Sequence, residues 1–153
     1  MLGRQYEGQD CSIARSLEVV GERWTLLVLR DLSFGLSRFD ELLRSLGAAP
    51  NVLSSRLKRL EEEGLVAREA YQDRPSRWAY HLTDKGQALQ PVLFHLAKWG
   101  DQFYPSDLGP PRRALHRGCG GEVDHRRECE GCGATVWFDE IDTVPRGLSV
   151  RID

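Results

Sequence analysis

Between Gly35 and Thr83 the chain compresses two short amphipathic segments and two strand-like pieces into fewer than fifty residues, and this succession limits the fold more than any other feature. In "GLSRFDELLRSLG" (35–47), Phe39, Leu42, Leu43 and Leu46 recur at helical spacing, Ser37 stands where an N-cap belongs, and Gly47 is a natural stop. After a turn of a few residues, "PNVLSSRLKRLEEEG" (50–64) places Pro50 at the first helical position and Gly64 at the end. Leu53, Leu57 and Leu60 then occupy i, i+4 and i+7 and should face inward. Strand-like pieces around 65–71 and 77–83, joined by "QDRPS", make a hairpin.

Two helices across a tight turn, followed by a hairpin, follow the order of a winged helix-turn-helix. The second helix is polarised in a way that suits a DNA groove. If its leucines point inward, the opposite side shows Asn51, Ser55, Lys58 and Glu62, flanked by Val52 and Arg59. The early residues are small and neutral and can approach base edges; Asn51 suits adenine, and Ser55 can donate or accept. Lys58 and Arg59 follow a turn later, with Arg56 on the flank, within reach of phosphates. The run Glu61-Glu62-Glu63 comes only at the end. In the hairpin, Arg74 at the tip suits a narrow minor groove and Arg77 a phosphate, while Trp78, Tyr80 and Leu82 alternate so as to pin the hairpin down.

Upstream, residues 10–30 carry helical periodicity broken around Gly21, with Ile13, Leu17 and Val20 on one face and Trp24, Leu27, Val28 and Leu32 on another. Downstream, Thr83 should cap one long helix, "DKGQALQPVLFHLAKWGDQFY". Its Leu89, Leu93, Leu96, Gly100 and Phe103 have heptad spacing, which suits packing against a second subunit. The proline- and glycine-rich "YPSDLGPPRR" (104–113) reads as a linker, dividing a domain at 1–105 from an appendage at 106–153. The net charge of −2 is uninformative because it is uneven: residues 106–153 hold seven Arg against nine Asp/Glu, and the first 105 balance. No stretch approaches the roughly 20 apolar residues of a membrane span, and the N-terminus has no apolar signal core, so a cytoplasmic location is expected.

Here a family resemblance enters. "CSIARSLEVVGERWTLLVLRDLSFGLSRFDELLRSL", "NVLSSRLKRLEEEGLVAR" and "YQDRPSRWAYHLTDKGQAL" resemble the HxlR-type transcriptional regulators of bacteria, winged-helix proteins related to the MarR group. The resemblance runs from about Cys11 to Trp99. It implies a homodimer on a double-stranded DNA operator with two half-sites, repressing or activating nearby genes, in some cases under a small-molecule effector. The family's recognition residues carry over to Asn51, Ser54, Ser55 and Arg59, with Arg56 and Lys58 at the backbone; Ser37, Arg38 and Val52 complete the candidate DNA-contacting set. One departure is Ala49, where the family usually has a hydroxyl N-cap. Losing that cap costs on the order of 1 kcal/mol. Some members sense oxidants or electrophiles through a cysteine at the position of Cys11. Asp10 beside it disfavours the thiolate and a helix N-terminus favours it, so sensor and quiet interface thiol both stand.

The remaining cysteines cluster late, beyond the resemblance. "HRGCGG" (116–121) and "CEGCGA" (129–134) share one shape, a ligand, two residues, Cys, Gly, with nine residues between the pairs. Glycine allows the tight bend of a zinc knuckle, so His116, Cys119, Cys129 and Cys132 form a candidate Cys3His zinc set. His125 is a rival fourth ligand and a Cys129–Cys132 redox pair a rival use. "TVWFDE" reads as a strand completing a small rubredoxin-like or zinc-ribbon-like fold. Four protein ligands leave no open metal position, and no catalytic constellation accompanies them, so no enzyme is expected. The expectation is thus a mainly α protein with a β-hairpin wing (α+β) and a small C-terminal zinc-ribbon-like β module. Its rival from another class is a protein-interaction adaptor, distinguished by lacking the steep salt dependence of phosphate contacts.

Overall fold

The computed structural model describes residues 6–148, and contacts divide the chain into two compact units, Met1–Leu89 and Gln90–Asp153. The first five residues, part of the stretch read above as lacking a signal core, lie outside the described residues. Among the described residues no helix is long and apolar enough to cross a membrane.

The first unit runs α1 (Ser12–Val20), α2 (Thr25–Ser33), α3 (Phe39–Leu46), α4 (Pro50–Glu62), β1 (Val66–Asp73), β2 (Ser76–Leu82) and α5 (Asp84–Gln87). The break between α1 and α2 falls at Gly21, where a Cβ would lie 2.4 Å from the Leu17 carbonyl oxygen. The inward leucines of α4 are buried, Leu53 at 0%, Leu57 at 1% and Leu60 at 0%, and meet Val28, Leu29 and Leu32 of α2 and Leu42 and Leu46 of α3 in the same buried set. Each such side chain contributes about 1.5–3 kcal/mol by leaving water. On α1 only Val20 is buried; Ile13 stays 70% exposed.

The wing is not a free hairpin. The Tyr80 amide donates to the Ser37 carbonyl at 2.7 Å, and Arg38 bridges Ala79, so the entrance of α3 acts as a third, one-residue strand. This moves the helix start. Ser37 was expected as N-cap, but α3 begins at Phe39 with Arg38 before it. The Glu41 carboxylate reaches back to accept the amides of Arg38 (2.9 Å) and Ser37 (3.1 Å), and those two bonds hold its pKa below the ordinary carboxylate value. Where α4, the wing and α5 meet, Thr83 Oγ1 donates to Gly64 O at 2.6 Å and accepts from the Gly86 amide.

The second unit comprises α6 (Gln90–Phe103), β3 (Arg112–His116), a 3-10 turn (Phe138–Glu140) and β4 (Ile141–Pro145), the two strands pairing antiparallel from Arg112↔Pro145 to His116↔Ile141. Three expectations shift here. The single long helix after Thr83 is two, α5 and α6, broken by a turn at Ala88 and Leu89, because Pro91 has no amide to donate to the Gln87 carbonyl. The boundary between compact units falls at Leu89, not at 105: Phe94 of α6 packs against Ala114, Val123, Cys129 and Val136 of the cysteine-bearing region. The strand expected in "TVWFDE" is displaced to Ile141–Pro145, where it pairs with a strand that starts inside the proposed linker.

Candidate nucleic-acid interface and candidate metal centre

On α4, Asn51, Ser54, Ser55, Lys58 and Arg59 are exposed and Val52 is half-buried, so the polar face anticipated from spacing is a surface. Ala49 offers no side-chain cap, and the first turn begins with Pro50. The basic residues further along are matched by acids: Lys58 Nζ lies 3.8 Å from Glu62, Arg59 2.7 Å from Glu63, and Arg68 of the wing 3.0 Å from Glu61. Arg56 differs from the expectation. It pairs with Glu22 in the connection between α1 and α2, is only 23% exposed, and has its Nε buried without a hydrogen-bond partner among the described residues. Its helical position turns the guanidinium toward the body of the unit.

The wing tip is a two-residue turn, Arg74-Pro75, between paired Asp73 and Ser76. Gln72 Nε2 donates to the Arg74 carbonyl at 3.0 Å, and Ser76 Oγ to that of Asp73 at 3.2 Å, so the tip is braced by its own side chains. Arg74 and Arg77 are exposed and, among the described residues, in no ion pair. Tyr71 is the extra residue of a β-bulge, between the pairs Ala70↔Trp78 and Gln72↔Arg77, and the Arg38 guanidinium stacks 4.9 Å over its ring. Arg68 stacks 4.5 Å over Trp78, and Tyr80 is pushed up in pKa by burial. Between wing and α3 lies an open cleft of about 440 Å³ lined by Phe39, Asp40, Tyr71, Ser76, Arg77, Trp78 and Tyr80, which sequence reading missed. Its lining includes Tyr71 of the bulge, and a bulge leaves no mark on the alternation of residue types.

In the second unit, the nitrogen or sulfur donors of His116, Cys119, Cys129 and Cys132 all lie within 4.8 Å of one another, as the repeated spacing implied. His116 Nδ1 is 3.4 Å from both Cys119 Sγ and Cys132 Sγ, and Cys119 Sγ is 3.4 Å from Cys129 Sγ. His125 is exposed and outside this cluster, and all four cysteines of the chain are free thiols. The two knuckles repeat one another thirteen residues apart. Gly120 N–H donates to His116 O and His116 N–H to Gly121 O; Gly133 N–H donates to Cys129 O and Cys129 N–H to Ala134 O. Gly120 and Gly133 both take positive φ, 73° and 72°, as the bend after the second ligand requires. The knuckles close so tightly that a Cβ on Gly121 would sit 2.7 Å from Cys129 Sγ.

The electrostatics suit a cation. Burial raises the Cys129 thiol, but amides of Cys132 and Gly131 and the neighbouring Cys119 and His116 outweigh it and bring its pKa to about 6. The Gly121 amide lowers Cys119, yet bonds to Cys129, burial and Cys132 leave it raised. Three sulfurs and one imidazole nitrogen, converging with no fifth donor in the cluster, can hold a metal ion that prefers soft, four-coordinate surroundings.

Helices α3 and α4 across their turn, with a wing pinned to the entrance of α3, define a winged helix-turn-helix protein of DNA-binding type. The family model described as HxlR-like helix-turn-helix matches residues 19–107, and the chain belongs to that family of transcriptional regulators, which are not enzymes. It is 44% identical over 144 residues to the uncharacterized HTH-type transcriptional regulator Rv3095 of Mycobacterium tuberculosis, covering 94% of this chain and 90% of that one. Among solved structures, PA1607 superposes with a TM-score of 0.69 at 34% identity, covering 87% of this chain and 93% of that one. The reduced redox regulator HypR gives a TM-score of 0.57 at 29% identity, covering 60% and 92% respectively.

Proposed function

We propose that two copies of this chain bind a roughly palindromic DNA operator in the cytoplasm, one α4 in each major-groove half-site and one wing beside it. Half-site centres then lie about one helical turn, ~34–36 Å, apart. Asn51, Ser54 and Ser55, with Val52 beside them, meet base edges; Lys58 and Arg59 meet phosphates, as do Ser37, Arg38 and Arg77; Arg74 enters the minor groove. Arg56 is assigned instead to holding α4 against the connection between α1 and α2. The observation that carries this reading is the exposed, initially neutral face of α4 together with two arginines that, among the described residues, form no ion pair on a braced wing tip.

The two copies meet through apolar surface that each leaves uncovered, including Ile13 and Leu17 of α1 and Val92, Leu96 and Phe103 of α6. A zinc ion held by His116, Cys119, Cys129 and Cys132 is structural: it closes a zinc-ribbon-like module whose own apolar core is four small side chains. Cys11, half-buried at the N-cap of α1, is the candidate for a redox or electrophile signal, a use supported by the likeness to a redox regulator.

Recovery of genomic fragments by the purified protein tests the central claim. An inverted repeat should be enriched, and binding to it should weaken steeply with salt. Enrichment of no sequence, or binding indifferent to salt, would defeat it and favour a protein-interaction adaptor.

A further inference from the structure

The ligand Cys129 belongs to two structures at once. It is 2% exposed and, with Ala114, Val123 and Val136, forms the buried cluster against which Phe94 of α6 packs. Phe94 also meets Phe138 edge-on at 5.6 Å, and Arg127 stacks on Phe138 at 5.2 Å while donating to Val136 O. The socket for Phe94 is therefore built from the chain that wraps the metal site. At 3.6 residues per turn, Val92, Leu96, Trp99 and Phe103 fall on the side of α6 opposite Phe94, and these are 49%, 48%, 52% and 57% exposed. No residue of this 14-residue helix is fully buried. A helix of that length is marginal in water by itself, so α6 depends on one face being held.

We infer that metal occupancy of the His116–Cys119–Cys129–Cys132 site is read by α6 through Phe94 and sets the strength of self-association. The inference rests on the metal and dimer readings above and adds the link between them. With the ion bound, four ligands fix both knuckles, the small core stays closed, and Phe94 anchors α6 with its apolar seam turned outward. Without it, the core consists of Ala114, Val123, Cys129 and Val136 with Phe94, Cys119 and Ile141 packed against them, too little to stay closed unaided. The socket opens, α6 frays, and the seam offered to a second copy is lost. Leu93, Leu96, Gly100 and Phe103 keep a heptad step on that side of α6, which fits a second copy of the same helix.

The test uses the full, reduced chain, with zinc as the probe. Metal content is measured by elemental analysis and self-association by sedimentation, before chelation, after chelation and after zinc is restored. Removal should weaken the dimer by at least about tenfold and restoration should reverse it. Cys132→Ser, at the exposed ligand, should mimic chelation. Phe94→Ala should keep about one zinc per chain yet associate weakly whether or not zinc is present; Phe94→Leu, which preserves helix and bulk better, should show a smaller loss of the same kind. A chain that binds zinc but whose self-association ignores it overturns this inference alone, as does a Phe94→Ala variant that still responds to zinc. A chain that binds no zinc overturns the metal reading with it, and a monomer under all conditions overturns the dimer reading with it.

Discussion

Replacing Gly86 by Ala should loosen the joint between recognition helix and wing. A Cβ at Gly86 would lie 2.2 Å from the Leu65 carbonyl oxygen, 3.1 Å from its carbon and 3.2 Å from Leu82 Cδ2. The leucine tip can rotate away, but the Leu65 backbone is fixed on both sides. Its amide donates to Leu60 O at 2.9 Å and its carbonyl accepts from Thr83 N at 3.0 Å. Relief must come from moving α5 away, which stretches the Thr83 bonds to Gly64 and Gly86. Overpacking typically costs about 1–3 kcal/mol, and an obstacle made of backbone belongs at the upper end. For a unit of this size, 1 kcal/mol lowers the melting temperature by about 4–8 °C, so a fall of about 12–24 °C is expected. Thermal unfolding followed by circular dichroism reads the stability, and operator titration reads whether the wing still lies correctly beside α4. A variant that melts within about 2 °C of the parent, with unchanged operator affinity, would refute the close approach on which the argument rests.

Arg74→Ala should weaken binding to all sequences and flatten the salt dependence, whereas Ser55→Ala should relax preference at one operator position by about 1–3 kcal/mol; titrations on matched and mutated operators separate the two. Arg56→Met should leave the salt slope of binding unchanged and lower the denaturation midpoint, because its charge partners Glu22. Glu41→Gln should flatten the acid limb of stability: with the folded pKa below the ordinary value, the carboxylate's contribution is complete above that value and lost as pH falls through the lowered one. Urea midpoints at neutral pH and near pH 4 compare parent and variant.

Much of the first unit was legible because its signals are local. Leucine spacing located the buried side of α4, and the turn residues located the wing. The candidate metal set was legible because a ligand spacing repeated in one chain is hard to produce by chance, and the structure realises the repeat bond for bond. What escaped depends on partners distant in sequence. Arg56 turns to Glu22, thirty-four positions away, and Ser37 loses the N-cap because its carbonyl is drawn to Tyr80. The allegiance of α6 was hidden for the same reason: Phe94 is one apolar residue among several, and only the folded knuckles show which of them has a socket.

The three glutamates that close α4 have a further consequence for a protein that must find one site among very many. Glu61, Glu62 and Glu63 are paired with Arg68, Lys58 and Arg59. A random stretch of duplex can attract these cations only by prising them from partners of their own, so fewer counterions are released per contact than the number of basic residues suggests. On the proposed reading, residence on irrelevant DNA is thereby shortened, and an operator that also engages the neutral start of the helix gains relative to the rest of the chromosome even where its absolute affinity does not.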